Sequence, residues 1–208
     1  MVEVYYYIPK EEVENAVECG LKLSEYFDKE VVIGNTRQKC ISALLNPKDD
    51  MEKYRSESLR CVKLELPPEY CFVADKYLYE IGLNHSEVME LYLDSIMPIK
   101  DYTFGLYRLP ECLVTSTVIG EHINLLNKGL DSPVLFDNSE ELYINNAIEN
   151  LKEDYPDIND IMLYFFYRDL EKKGKLKRIE DEGSKVVVFL DEKAGKTFIA
   201  KKPDSCFE

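Results

Sequence analysis

Histidine is nearly absent from this chain, with His85 and His122 the only two in 208 residues. That scarcity argues against Ser–His and Cys–His nucleophilic pairs, because each needs an imidazole held beside the nucleophile. Phosphate-cradling loops are missing too: neither Gly-x-x-x-x-Gly-Lys-Ser/Thr nor Gly-x-Gly-x-x-Gly occurs. There is no Gly-x-Ser-x-Gly elbow and no His-Glu-x-x-His helix. Six cysteines are present, at 19, 40, 61, 71, 112 and 206, but none form a Cys-x-x-Cys pair. Structural zinc is built from ligands paired on short turns, so no metal site is expected. Cys40, Cys61, Cys71 and Cys112 fall in or beside apolar strand-like runs, which predicts buried, reduced thiols acting as small hydrophobes. No apolar run approaches the roughly 20 residues of a membrane span. The start, Met1–Pro9, lacks the basic segment of a signal peptide. No membrane segment and a cytoplasmic location are therefore expected.

The charge that is present is mostly negative. The net formal charge is −14, and −13 of it falls in residues 1–149. Affinity for a phosphate backbone comes from cationic surface, so this part is a poor candidate for gripping duplex DNA. A small nucleotide in a locally favourable pocket remains compatible with it. Residues 150–208 are near neutral and carry the basic run Lys172-Lys173-Gly174-Lys175-Leu176-Lys177-Arg178, a candidate contact for a protein or nucleic-acid partner.

With 45% apolar and 32% charged residues the chain can build a sizeable core. Val2–Ile8 reads as a strand, and Pro9 can then start a helix that Gly20 stops. Glu30–Ile33 reads as a strand followed by a polar loop over residues 34–38, and Cys40–Leu45 is apolar. Arg60–Leu66 alternates, with Cys61, Lys63 and Glu65 on one face and Val62, Leu64 and Leu66 on the other. Tyr70–Ala74 is another apolar run, and Asp75 can cap the helix after it. Lys76–Ile96 has helical character broken near Gly82-Leu83-Asn84. Its second piece is expected to start at Ser86 as N-cap and to turn Met89, Leu91, Tyr92 and Ile96 inward. Glu111–Ile119 reads as the best strand, and Glu121–Leu126 as a helical turn or two. Residues 130–137 read as a linker or edge strand. Beyond them, Asn138 and Glu141 resemble a capping box, and Pro156 separates two helices, the second over Asp157–Lys173. Lys185–Leu190 and Lys196–Lys201 read as a hairpin. The expected fold is α+β: a mixed, largely antiparallel sheet with flanking helices in residues 1–130, then a helix–helix–hairpin portion over 131–208.

Glu111 is the leading candidate for chemistry, because it opens an apolar strand directly after Pro110, beside a loop carrying Arg108. Its plain alternatives are a surface acid at a strand end or the partner of Arg108, which could itself pair with Asp101. The run Val4-Tyr5-Tyr6-Tyr7-Ile8-Pro9 through Val17-Glu18-Cys19-Gly20-Leu21 resembles the start of ADP-ribosyltransferase-fold domains. Pro110-Glu111-Cys112-Leu113-Val114, followed by Ile119-Gly120-Glu121-His122-Ile123, resembles the strand that carries the catalytic Glu in the DarT-like DNA ADP-ribosyltransferases. The resemblance implies a protein that uses NAD as substrate, with Glu111 as the catalytic carboxylate supporting positive charge on the ribose as nicotinamide leaves. It places Tyr6 and Tyr7 at the nicotinamide end, makes Arg37 and Arg108 cofactor-binding candidates, and implies a macromolecular acceptor or a degenerate catalyst. It also implies a prokaryotic protein, with a toxin- or antitoxin-type role arising from the same likeness. The chain departs from the family in having Tyr where His is common on the first strand. The rival reading is a non-catalytic interaction or regulatory protein whose C-terminal portion binds the partner.

Overall fold

β-favouring valines and three consecutive tyrosines make Val2–Pro9 a strand, β1. Pro9 closes this strand instead of opening a helix. A short 3-10 turn, Lys10–Glu12, intervenes before α1 at Val13–Cys19. After the short α2 (Leu23–Tyr26), the chain makes a hairpin of β2 (Lys29–Ile33) and β3 (Thr36–Leu44). The polar loop expected over 34–38 is mostly strand, because Gly34 and Asn35 alone make the turn. Then come α3 (Met51–Arg55), β4 (Leu59–Leu66), β5 (Cys71–Asp75), α4 (Lys76–Gly82) and α5 (Ser86–Ser95). Asp75 caps α4 by accepting from the Tyr77 N–H, while the N-cap of α5 is His85 and not Ser86. Three short strands complete the sheet: β6 (Met97–Pro98), β7 (Pro110–Val114) and β8 (Ile123–Leu125).

This computed structural model describes residues 1–126, 138–180 and 184–203. The linker or edge strand expected at 130–137 lies outside them. The chain divides into two units, Met1–Asn145 and Asn146–Glu208. In the first unit one sheet runs β6-β5-β7-β3-β1-β4-β8, with β2 also paired to β3, and every pairing is antiparallel. The fold is α+β.

Two expectations for residues 111–126 also need correction. The strand expected over Glu111–Ile119 stops at Val114. Thr115 turns its N–H and hydroxyl to the Tyr70 carbonyl, and Thr117 accepts from the Leu23 N–H, so the threonines are taken up by backbone groups distant in the chain. Residues 121–126 are not helical beyond the 3-10 turn Gly120–His122, because Ile123 pairs with Leu64 and is buried with it.

The sheet has two different faces. On one, Val4, Ile8, Ile41, Val62, Leu64, Val73 and Cys112 form the main core, closed by Ala16 of α1 and by Leu21, Val118 and Ile123. Burying each such aliphatic side chain contributes roughly 1.5–3 kcal/mol. α1 ends against the 118–120 loop so closely that a Cβ on Gly20 would sit 2.3 Å from the Val118 carbonyl oxygen, and one on Gly120 2.1 Å from that of Val17. On the other face Cys40, Ala74 and Leu113 are covered by Leu78, Tyr79, Met89, Tyr92 and Leu93 of α4 and α5. Leu91 is exposed, contrary to expectation. A second cluster on that face joins Tyr7, Leu44 and Cys61 to Tyr5 and Tyr54. The three consecutive tyrosines therefore divide, with Tyr5 and Tyr7 on this face and Tyr6 packed on the main core.

α6 (Ser139–Asp154) contains the division between units. It starts with the Asn138 side chain accepting the Glu141 N–H. In the second unit α7 (Ile158–Lys172) precedes β9 (Lys177–Glu180), β10 (Val186–Asp191) and β11 (Lys196–Lys201). The expected hairpin is β10–β11, and β9 extends it to three strands. Val187 and Phe189 pack beneath Tyr164, Tyr167 and Phe198.

Candidate functional site

Tyr5, Leu44, Glu111 and Ala74 stand in one row across β1, β3, β7 and β5. A carboxylate thus occupies the middle of an otherwise apolar row. Glu111 is fully buried, its side chain 0% exposed. An isolated carboxylate there would be far too costly to keep charged, so it needs partners. Lys29 supplies the charge: its Nζ lies 2.9 Å from each carboxylate oxygen, and its side chain is 7% exposed. The Tyr92 hydroxyl donates to Oε1 at 3.0 Å, and the Ser42 hydroxyl donates to Oε2. Lys29 also lies over the Tyr79 ring, 3.5 Å from its centroid. Burial, and then the Glu111 charge, push the Tyr92 phenol well above its ordinary value, which keeps it a hydrogen-bond donor.

The local strand geometry explains these neighbours. Lys29 faces Cys40 across the β2–β3 hairpin, and Ser42 is two residues further along β3 on the same face. β3 changes partners there: Thr36–Cys40 pair with β2, and Leu44 pairs with Tyr5 of β1, the single register pair between those strands. Between the two pairings the Ser42 N–H is taken by the Asp28 carboxylate at 2.7 Å. Burial raises the Asp28 carboxyl above its ordinary value, and that Ser42 bond and the Lys53 and Lys29 charges counter it only in part.

A cleft of about 220 Å3 opens over this switch of partners. Tyr5, Tyr6 and Tyr7 border it from β1, and Ser42 and Leu44 from β3. Its ionic lining has both signs, Lys29, Lys53 and Lys76 against Asp28 and Glu80. Lys53 and Lys76 are only loosely paired, at 3.7 Å from Asp50 and 3.8 Å from Glu80.

The expected site residues are brought together in part. Glu111 lies below the cleft that Tyr6 and Tyr7 border. The Tyr7 hydroxyl donates to the Pro47 carbonyl at 2.7 Å, and burial raises its phenol, as it does that of Tyr6. Arg37 is exposed near the start of β3, opposite Val32, and is not among the cleft residues. Arg108 is not among them either: its guanidinium pairs with Glu140 at 2.6 Å and not with Asp101 or Glu111. Sequence reasoning missed Lys29, Ser42, Asp28 and Tyr92 as parts of this site. The available signal was Lys29 itself, since its place two residues before Val31 puts a lysine on the buried face of a strand. Among the described residues no group of three or more His, Cys, Asp or Glu side chains could hold a metal ion, and no helix is long and apolar enough to cross a membrane. Comparison with protein-family models, curated proteins and solved structures finds no match.

Proposed function

We propose that the protein binds a nucleotide of the NAD class in the cleft above Glu111 and does not turn it over: an ADP-ribosyltransferase-like binder, degenerate in catalysis. The observation that carries this reading is the lining of the cleft. Tyrosines border a space lined by three lysines and two carboxylates, and this mix of rings and both charges suits a ligand carrying a cationic ring and anionic phosphates. A space of about 220 Å3 is below the roughly 300–1,000 Å3 of pockets that engulf a drug-sized ligand. It takes the pyridinium end, with the rest of the dinucleotide lying across the mouth towards Lys53 and Lys76.

Absence of turnover stems from the saturation of Glu111. A carboxylate that stabilises a developing ribose cation needs an open face towards the substrate. Glu111 has its charge matched by Lys29 and both oxygens engaged, and none of its surface is exposed. Its role here is to fix Lys29 and Ser42 as the floor of the cleft.

Thermal unfolding with and without millimolar NAD tests this. A ligand at 100 times its Kd adds about 2.7 kcal/mol, a rise of several degrees at this size. The rise should shrink in Lys53→Ala and Lys76→Ala, and nicotinamide should not accumulate. No rise, or one indifferent to both lysines, removes the site. Nicotinamide release that stops in Glu111→Gln would instead make the protein an active transferase.

A further inference from the structure

The second unit has a cavity of its own, of about 380 Å3, within the usual range of small-ligand pockets. α7 places Arg168 and Lys172 one turn apart on its wall, β9 adds Arg178, and Lys202 comes just after β11. Two carboxylates serve three of these four cations. Glu171 lies 3.1 Å from Arg168 Nε and 3.2 Å from Arg178 Nε, and Glu180 lies 2.9 Å from Arg178 and 2.5 Å from Lys202. Among the described residues the cluster therefore keeps an excess of two positive charges. The Arg168–Glu171 contact is close but misaligned, so Arg168 Nε is buried without a hydrogen-bond acceptor. Lys172, exposed at the end of α7, makes no ion pair among the described residues. A network serving stability alone would match its charges, and among the described residues this one is short of anions at a concave surface.

Beside the cations stands an aromatic surface. Phe165, 43% exposed, lines the same cavity edge-on to Tyr164, whose hydroxyl accepts a hydrogen bond from Arg168. Packing against the adjoining core holds Tyr164 in place, while Phe165 stays partly exposed at the cavity.

We propose that this cavity binds a nucleoside phosphate, with the phosphate held by Lys172 and Arg168 and the base stacked on Phe165. Guanidinium and ammonium groups are the natural partners of a phosphate, and an exposed aromatic ring beside them accepts any base by stacking. The cavity is too large for phosphate alone. The nucleoside phosphate can come free or as one unit of a single strand, and the same basic run, Lys172–Arg178, would accompany either. This proposal is independent of the cleft in the first unit.

Calorimetric titration of the full chain at low salt tests it, with AMP, inorganic phosphate and a short oligoadenylate as probes. AMP should bind, and phosphate at least tenfold more weakly. Lys172→Ala and Phe165→Ala should each weaken AMP about tenfold, or about 1.4 kcal/mol, with unchanged circular dichroism, whereas Lys53→Ala should not. Tighter binding per site by the oligomer assigns the strand as the source, and equal or weaker binding assigns the free nucleotide. No AMP binding, AMP binding unaffected by both variants, or phosphate binding as tight as AMP would each overturn the proposal.

Discussion

Lys29 Nζ sits 2.9 Å from both carboxylate oxygens of Glu111, beneath a cleft and between two hydrophobic clusters. Such a pair is weak evidence for net stability, because removing both charges from water costs about as much as their attraction returns. Breaking it is different. Lys29→Met leaves a buried carboxylate unpaired and should cost about 3–5 kcal/mol. Glu111→Gln in the same background removes that orphan charge, so the double variant should recover most of the loss. Urea unfolding of the four proteins measures this. Additive losses would mean that the two side chains do not act as a pair.

Tyr92→Phe probes the same carboxylate without changing shape. The ring stays packed under α5, and only the hydroxyl that donates to Oε1 at 3.0 Å is lost. A hydrogen bond to a charged group contributes about 1.5–3 kcal/mol, so a loss in that range is expected in urea unfolding. A loss below about 0.5 kcal/mol would show that water or Lys29 replaces the hydroxyl.

Much of the framework is legible in the sequence, and the site much less so. The alternation in Arg60–Leu66 separates Cys61, Lys63 and Glu65 from Val62, Leu64 and Leu66, as β4 does. The break near Gly82, the cap at Asp75 and the end of the second long helix before Gly174 depend on local chemistry and lie close to where they are expected. Residues 115–126 are misread because tertiary partners decide them: Tyr70 and Leu23 for the threonines, and Leu64 for Ile123. The position of Glu111 is readable, but its partners are not. Lys29, Ser42 and Tyr92 lie 82, 69 and 19 residues from it in the chain, and no short-range pattern links them. Arg108 meets Glu140 for the same reason.

Gly120 predicts a steric failure. A methyl there would fall 2.1 Å from the Val17 carbonyl oxygen, a backbone atom that cannot swing aside. Gly120→Ala must separate α1 from the loop that carries Val118 and Ile123 into the core. A loss of about 3 kcal/mol is expected, the upper end for overpacking. An unchanged urea midpoint would mean that α1 is not held where Leu21 and Val118 bridge.

Asp28 predicts a pH dependence of uncommon sign. Burial, its largest influence, raises this carboxyl above the ordinary aspartate range, although it accepts the Ser42 N–H and feels Lys53 and Lys29. A folded state that raises a carboxyl's pKa binds that proton more tightly than the unfolded chain does. The contribution of Asp28 to stability is therefore most favourable at acid pH and is lost as pH climbs from about 3.9 through the raised folded value. Asn at this position keeps an oxygen for the Ser42 N–H and removes the charge. Measured by urea unfolding from about pH 3.5 to 7, the stability of Asp28→Asn relative to wild type should increase with pH and then level off. A difference that moves the other way would mean that the two lysines outweigh burial, with the carboxylate stabilised in the cleft instead of strained by it.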